Sequence, residues 1–405
     1  MQPGVLLFGN HPPPYGGVPS HVQDLAAHLA GRGWAVHVLA MEGSRREPER
    51  TLGYTIHRPG RSERLAALRG LLASDPGFLG RQSLRFPGFL AGNPKMFLGC
   101  LSLAAVVRDL VWRHDLRLIS AYHLFSAGLA SAWAADSLQV PLITTVFGEI
   151  YARPDFHRRR LREVRYVVEA SRTLLSCSHH CARSFQLLGL TPPVQVVHYG
   201  VNTGLFSPAV DPAIIRARHG LAPDDHVVLY VARMVREMGL HVLLAAVDQL
   251  LAGDPRIKVV VVGSSGELRA EAEAQAARHP GRLIVVPDVP QTELPQYYAA
   301  ATVAVSPSLN ARACLGLAVA EAMATARAVV VTDVGGGPEL VKHQVNGLLV
   351  PPGDPAALAE AVLALTRDEG RRRRMAASGL DVAHRGFDRT VTNRRMEELF
   401  SEAMA

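Results

Sequence analysis

Short, continuous apolar runs alternate with helix-period stretches along the whole chain. Residues 5–8 (Val, Leu, Leu, Phe) form a run closed by Gly9 and Asn10. A run without polar alternation predicts a strand buried on both faces, as in a parallel sheet. After the loop HPPPYGGVPS, Val22, Leu25, Ala26 and Leu29 recur at helical spacing until Gly31 and Gly33 interrupt them, and residues 34–40 supply the next strand. A strand, loop, helix and strand within the first 40 residues open a doubly wound α/β domain. Further strands are predicted at 118–121, 142–146, 173–176 and 194–197. Residues 58–95 show no clean period and many Gly, Pro and Arg, so they read as excursion helices and loops.

A turn-rich stretch, residues 200–208, separates this half from a second that restarts the same grammar. A helix is predicted at 212–219, strands at 227–231, 258–262, 283–286, 303–306 and 328–332, and a helix at 239–251 with Leu240, Leu243, Leu244 and Val247 on one face. Residues 388–404 read as an amphipathic helix able to fold back on the first half. The predicted organisation is a first Rossmann-like domain over 1–200, a second over 201–384, and a C-terminal helical segment over 385–405 returning to the first. Two doubly wound domains facing across a cleft place ligands at the carboxyl ends of their strands.

Composition narrows the function classes. The 405 residues are 48% hydrophobic and 20% charged, which suits folded α/β domains rather than disorder. No run reaches the roughly 20 apolar residues of a membrane span, and the first residues lack the basic start of a secretion signal. A cytoplasmic protein is the expectation. The net charge of +7 is carried by arginine, since Lys95, Lys258 and Lys342 are the lysines. Clusters at Arg158, Arg159, Arg160 and Arg162 and at Arg371 to Arg374 read as solvated helix faces, with weak contact to an anionic membrane surface as the alternative. Nucleic-acid binding is not expected, because the interleaved aromatic residues of a stacking platform are missing. Cys100, Cys177, Cys181 and Cys314 form neither a disulfide framework nor a zinc set by spacing. Cys177 and Cys181 read as small apolar fillers.

The strongest local chemistry lies between Ser306 and Glu339. A strand ends at Ser306, a loop leads to Gly316, and a helix starting there carries Glu321. Backbone N–H groups of Gly316 and Leu317 at such a start can hold phosphate without a lysine, and a carboxylate one turn in can accept two hydrogen bonds from a ribose diol. With these residues stand Gly16 and Gly17 before the first helix, the linker Gly200, Val201 and Asn202 with Phe206, Ser207 and Pro208, then Arg233, Gly239, Gly263, Gly335 and Gly336, and the run from Asn346 to Asp354. Together they resemble family 4 of the retaining GT-B glycosyltransferases over most of the chain.

The resemblance implies a GT-B fold and transfer of a sugar from a UDP- or GDP-linked donor to a small-molecule acceptor, without metal or other cofactor. Arg233 matches the phosphate-gripping arginine, whose planar fork suits a diphosphate leaving group. Glu321 matches the ribose ligand, and Gly16 and Gly17 match a loop whose backbone approaches the reacting carbon. Gly263, Val286 and Val289 fall where the family holds the nucleotide and its base, the latter two flanking Pro287 and Asp288.

The departures from the family pattern lie at the reacting centre. The usual lysine five residues after Arg233 is Met238, the usual first Glu is Ala313, and the usual N-domain His is Phe147. Arg236 is the candidate to replace the lysine; Glu149, assigned a catalytic role, and His179 or His180 are candidates to replace the His. Phe147, His179 and Cys314 are assigned to the acceptor side, Cys314 as a pocket-lining thiol rather than a nucleophile. The expectation is an active transferase in specialised-metabolite or cell-surface glycoside synthesis, with an unusual donor or an O, N or S acceptor. A catalytically silent, nucleotide-binding partner of another transferase is the alternative. Oligomeric state is not written in the pattern.

Overall fold

A computed structural model describes residues 2–12, 17–41, 49–51, 53–309, 312 and 314–405. The chain divides into two compact units, one of residues 1–197 with 393–405 and one of residues 198–392.

The first unit is built on one sheet of eight strands: β1 (Gly4–Phe8), β2 (Ala35–Leu39), β3 (Glu49–Thr51), β4 (Tyr54–His57), β5 (Leu118–Tyr122), β6 (Leu142–Val146), β7 (Thr173–Ser176) and β8 (Val194–Val196), in the order β3-β4-β2-β1-β5-β6-β7-β8. All pairs are parallel except β3 with β4. Every residue of β1, β5 and β6 is buried, as their unbroken apolar runs require. The strand order reverses between β1 and β5, so the ligand-binding crevice of this unit opens beyond Phe8 and Tyr122.

The segment 58–95 is helical, with helices Arg61–Ser74, Phe78–Arg85 and Pro87–Gly92 leading to Pro94–Arg113. The last begins where Asn93 accepts a hydrogen bond from the Met96 N–H at 3.1 Å, with Pro94 in the first turn. Strands β3 and β4 were not foreseen. Thr and His break the apolar run of β4, and a four-residue strand beside an excursion gives little periodicity to read. The C-terminal helix Arg389–Met404 lays its later turns on this unit. Phe400 meets Trp34 edge to face at 6.2 Å, and Glu397 accepts from Trp34 Nε1 at 3.2 Å and faces His28 Nε2 at 3.1 Å.

The second unit holds six parallel strands: β9 (His226–Val231), β10 (Ile257–Gly263), β11 (Leu283–Pro287), β12 (Val303–Ser306), β13 (Ala328–Thr332) and β14 (Leu348–Val350), ordered β11-β10-β9-β12-β13-β14. This is the dinucleotide-fold order, and its reversal falls between β9 and β12. Helix Leu240–Gly253 packs on it through Leu240, Leu243, Leu244 and Val247. Helix Pro355–Arg367 starts at Asp354, which accepts from the Ala357 N–H at 2.9 Å. β14 had been read only as part of a family motif. Among the described residues, no helix is long and apolar enough to cross a membrane.

Candidate functional site

The crevice of the second unit is lined by the segments that follow β9 and β12. Arg233 stands two residues beyond β9, exposed, with its guanidinium 4.0 Å from Glu237. Tyr230, buried at the end of β9, donates to the Arg233 carbonyl at 3.0 Å and to the Met238 carbonyl at 3.3 Å, fixing the loop between. Arg233, Val235, Arg236, Glu237, Glu267 and Leu309 line a cleft of about 400 Å³. Arg236 is exposed there, its backbone N–H bonded to Glu267 at 3.0 Å, whereas Met238 packs on the apolar core of the unit.

Two residues of this cluster were not singled out from sequence. Arg312 donates to Glu237 at 2.6 Å, so Glu237 lies between the guanidinium groups of Arg233 and Arg312. A cation placed far along the chain by a loop leaves no local spacing to find. Ala313, Ala311 and Asn310 lie outside the described residues, as does Gly16. Gly17 is described and begins the helix Gly17–Gly31 of the first unit, exposed.

Gly316 caps helix Leu317–Ala324 with φ +81°, a left-handed conformation that a Cβ would strain. Gly316 is exposed and Leu317 half-buried, so the start of this helix reaches solvent. Glu321, on the second turn, is partly buried and accepts from the Tyr298 hydroxyl at 2.8 Å. Burial, only partly offset by that bond, pushes the Glu321 carboxyl up to about 7. The same pairing with a carboxylate, after burial, raises the Tyr298 phenol. Cys314 is half-buried, with its thiol directed to the Arg312 carbonyl at 3.6 Å.

At the end of β10, Gly263 lies against the neighbouring crossover, where a Cβ would run into the Ala232 carbonyl oxygen. Asp288 ties the β11 end to the β10 end, accepting from the Ser265 N–H at 3.0 Å and its hydroxyl at 2.7 Å. Val286 and Val289 flank this tie, both half-buried.

In the first unit, the residue immediately beyond β5 is His123, at φ +81°, an uncommon conformation for a residue with a Cβ. Its side chain is 41% exposed, and its Nδ1 stands 3.6 Å from Glu149. Glu149 accepts from the Leu124 N–H at 3.2 Å and from the Phe147 N–H at 2.6 Å, so it holds the loops after β5 and β6 together. Burial pushes against charge on both partners, but the Glu149 carboxylate outweighs it and raises His123, while the His123 hydrogen bond and charge hold Glu149 below its ordinary range. Phe147 is buried, stacked on Tyr122 at 6.3 Å and edge-on to His123 at 4.8 Å. It forms the wall behind that imidazole instead of presenting its own face. In the sequence His123 stands two residues past the strand predicted at 118–121, with no motif spacing to mark it. His179 is exposed at the start of helix His179–Arg183, and His180 stacks on Tyr151 at 4.4 Å. Cys177 and Cys181 are buried.

Two Rossmann-like units with open switch-point crevices, an exposed arginine after the first strand of the second, and a glycine-capped helix carrying a partly buried carboxylate are the features of the two-domain glycosyltransferase class. Comparison with known proteins places the chain within it. Residues 15–205 match the Glycosyltransferase Family 4 profile and residues 211–381 match that of Glycosyl transferases group 1. A D-inositol 3-phosphate glycosyltransferase of Nocardioides is 33% identical over 309 residues, 70% of this chain and 67% of that relative. One of Xylanimonas cellulosilytica is 29% identical over 409 residues, 96% of this chain and 92% of the relative. Among solved structures, Anabaena HepE in complex with UDP superimposes with a TM-score of 0.76 at 20% identity, over 99% of this chain and 100% of that one. Sucrose-phosphate synthase of Thermosynechococcus elongatus does so at 0.75 and 22%, over 99% of each. The chain belongs to family 4 of the glycosyltransferases, and its fold is GT-B.

Proposed function

We propose that the second unit, as a donor domain over residues 201–384, binds a nucleoside-diphosphate sugar at the crevice between β9 and β12. The observation that carries this reading is the placement of Arg233 just after β9, and of the helix start at Gly316 and Leu317 with the Glu321 carboxylate after β12, the two strands that flank the switch point. The diphosphate meets the Arg233 fork and the positive helix end. Glu321 takes the ribose diol, and the loops at Gly263, Val286 and Val289 hold the base. Arg236 and Arg312 supply the charge that Met238 cannot, Glu237 keeping Arg312 in place. UDP is the first nucleotide to test, because the structural neighbour HepE was solved with it, and GDP is the second.

The transfer is proposed to be retaining and to need no metal, the departing phosphate serving as base on the face where the acceptor arrives. That route asks for no protein nucleophile and tolerates alanine at 313. The acceptor is a small molecule met by His123 at the switch point of the first unit. Relatives named for D-inositol 3-phosphate make a polyol phosphate the first acceptor class to try, with thiol and amine acceptors after it. The raised His123 presents a proton and positive charge, which suits an anionic acceptor, and Glu149 positions it rather than touching substrate.

A thermal-shift panel of UDP, GDP, ADP and dTDP tests the donor site. A shift with UDP or GDP that disappears in Arg233→Ala is expected; no shift with any of the four removes the reading. The neutralisation of cations by Glu237 favours a second reading, a nucleotide-binding partner without turnover. Binding of UDP-sugar with no product from any acceptor class would select it.

A further inference from the structure

Three imidazoles converge in the first unit, on the β2 and β4 side of its switch point. His37 comes from the middle of β2, His57 from the end of β4, and His114 from the residue after helix Pro94–Arg113. One ring nitrogen of each lies within 4.8 Å of the others. His37 Nδ1 and His57 Nε2 are 2.8 Å apart, with the rings nearly coplanar at 12° and centroids 5.1 Å apart, so the two meet edge to edge. The His114 ring lies against His37 at a centroid distance of 4.1 Å.

From this geometry we infer a binding site for a divalent transition-metal ion, of which Zn²⁺ fits best, held by His37, His57 and His114. Two nitrogens on one tetrahedral zinc, each about 2.0–2.1 Å away, stand roughly 3.3 Å apart. Opening the His37–His57 contact by about half an ångström, with both rings turned so that their lone pairs meet off the N···N line, admits the ion. The proton shared on that contact moves to the far nitrogen of the ring that carried it, so no proton is released and two lone pairs become free to bind. All-nitrogen ligation selects zinc and its neighbours over Mg²⁺ or Ca²⁺, which take oxygen.

The surroundings fit an ion with a remaining open position. His57, Asp109 and Arg113 line part of a cleft of about 870 Å³ between helices Arg61–Ser74 and Pro94–Arg113, which gives entry and room for water as fourth ligand. Arg113 opposes a cation here, but its charge is met by Asp109 at 2.8 Å. Such an ion would fasten β2 and β4 to the helix that precedes β5. It is separate from the sugar-transfer chemistry and does not depend on that reading.

The test uses the full chain without a histidine tag, freed of metal by dialysis against chelator. Titration with Zn²⁺ in a calorimeter is expected to show one equivalent bound, and Co²⁺ to give the intense visible absorption of a tetrahedral site. His57→Gln and His114→Gln are each expected to weaken binding at least about tenfold, with the far-ultraviolet dichroism unchanged. Cys181→Ser is expected to leave it intact. Absence of saturable binding, binding that survives both histidine substitutions, or binding lost with Cys181 would overturn the site. Should the histidine variants not fold, X-ray absorption on the zinc-loaded wild type decides: a shell of imidazole nitrogen supports the proposal, and sulfur in the shell refutes it.

Discussion

Glu321 is the residue whose environment makes the sharpest demand. Its folded value near 7 lies above the ordinary 4.5, so the free protein binds a proton there that the unfolded chain has lost. Stability from this group is therefore greatest below pH 4.5 and falls as pH rises toward 7. A ribose diol donating to the carboxylate reverses the preference and expels the proton. Nucleotide affinity should accordingly rise with pH up to about 7 and level off above it, and calorimetry in two buffers of different ionisation enthalpy should detect the released proton. Glu321→Gln should bind more weakly and lose the slope; an unchanged slope would mean that another group titrates. His123 behaves in the opposite sense. Held above its ordinary 6.5 by Glu149, it keeps its charge to higher pH than a free imidazole and loses it as pH climbs further. With an anionic acceptor, KM should rise with that deprotonation. His123→Gln should raise the acceptor KM about tenfold, roughly 1.4 kcal/mol, while leaving the donor KM alone. Equal effects on both KM values would count against an acceptor role. The positions of Gly316 and Glu321 were legible from a predicted strand end and helix start, and that of Arg233 from the family motif it matches. His123, Tyr298 and Arg312 were not, because each acts on a residue more than twenty positions away.

At the level of elements, the crevices are set by strands whose ends cannot tolerate bulk or slippage. Gly263 ends β10 against the Ala232 carbonyl, so Gly263→Ala must displace the crossover that carries Arg233. A loss of about 2 kcal/mol is expected in denaturant titration, with weaker nucleotide binding; wild-type stability would show that the loop yields freely. The C-terminal helix is fixed to the first unit by buried apolar residues such as Phe400 and by the polar contacts of Glu397. Burial works against its charge, but His28, Trp34 and Arg32 together hold the carboxyl below its ordinary value. The stability it gives is present above pH 4.5 and disappears as pH falls. Glu397→Ala should cost about 1–2 kcal/mol at pH 7, less at pH 4, and proteolysis near the chain's end would report the loosened helix. The central strands were readable to within a residue or two, since burial on both faces leaves an unbroken apolar run. β3, at the sheet edge, and the four-residue β4 beside it escaped notice because strands so short show little apolar pattern; their pairing partners, not their own pattern, make them strands.

For the molecule as a whole, each unit carries its own apolar core, one around Phe97 and Trp133, the other around Tyr230 and Leu243. Separate cores predict that heat does not unfold the chain in one two-state step. Scanning calorimetry should resolve two transitions, and UDP or GDP should move the one that Gly263→Ala also lowers; a single transition obeying the two-state relation would contradict this. By itself the sequence determined the alternation of strands and helices, the restart after residue 200 and the family, because burial pattern, turn chemistry and motif spacing are local and survive being read in one dimension. Only the tertiary structure decided which side chains share a site: the carboxylate beside His123, the phenol on Glu321, the arginine across from Glu237 and the three converging histidines. Those pairings arise where a parallel sheet brings distant segments to one edge, and the energies that govern them, desolvation and short-range charge, depend on distance in space rather than along the chain.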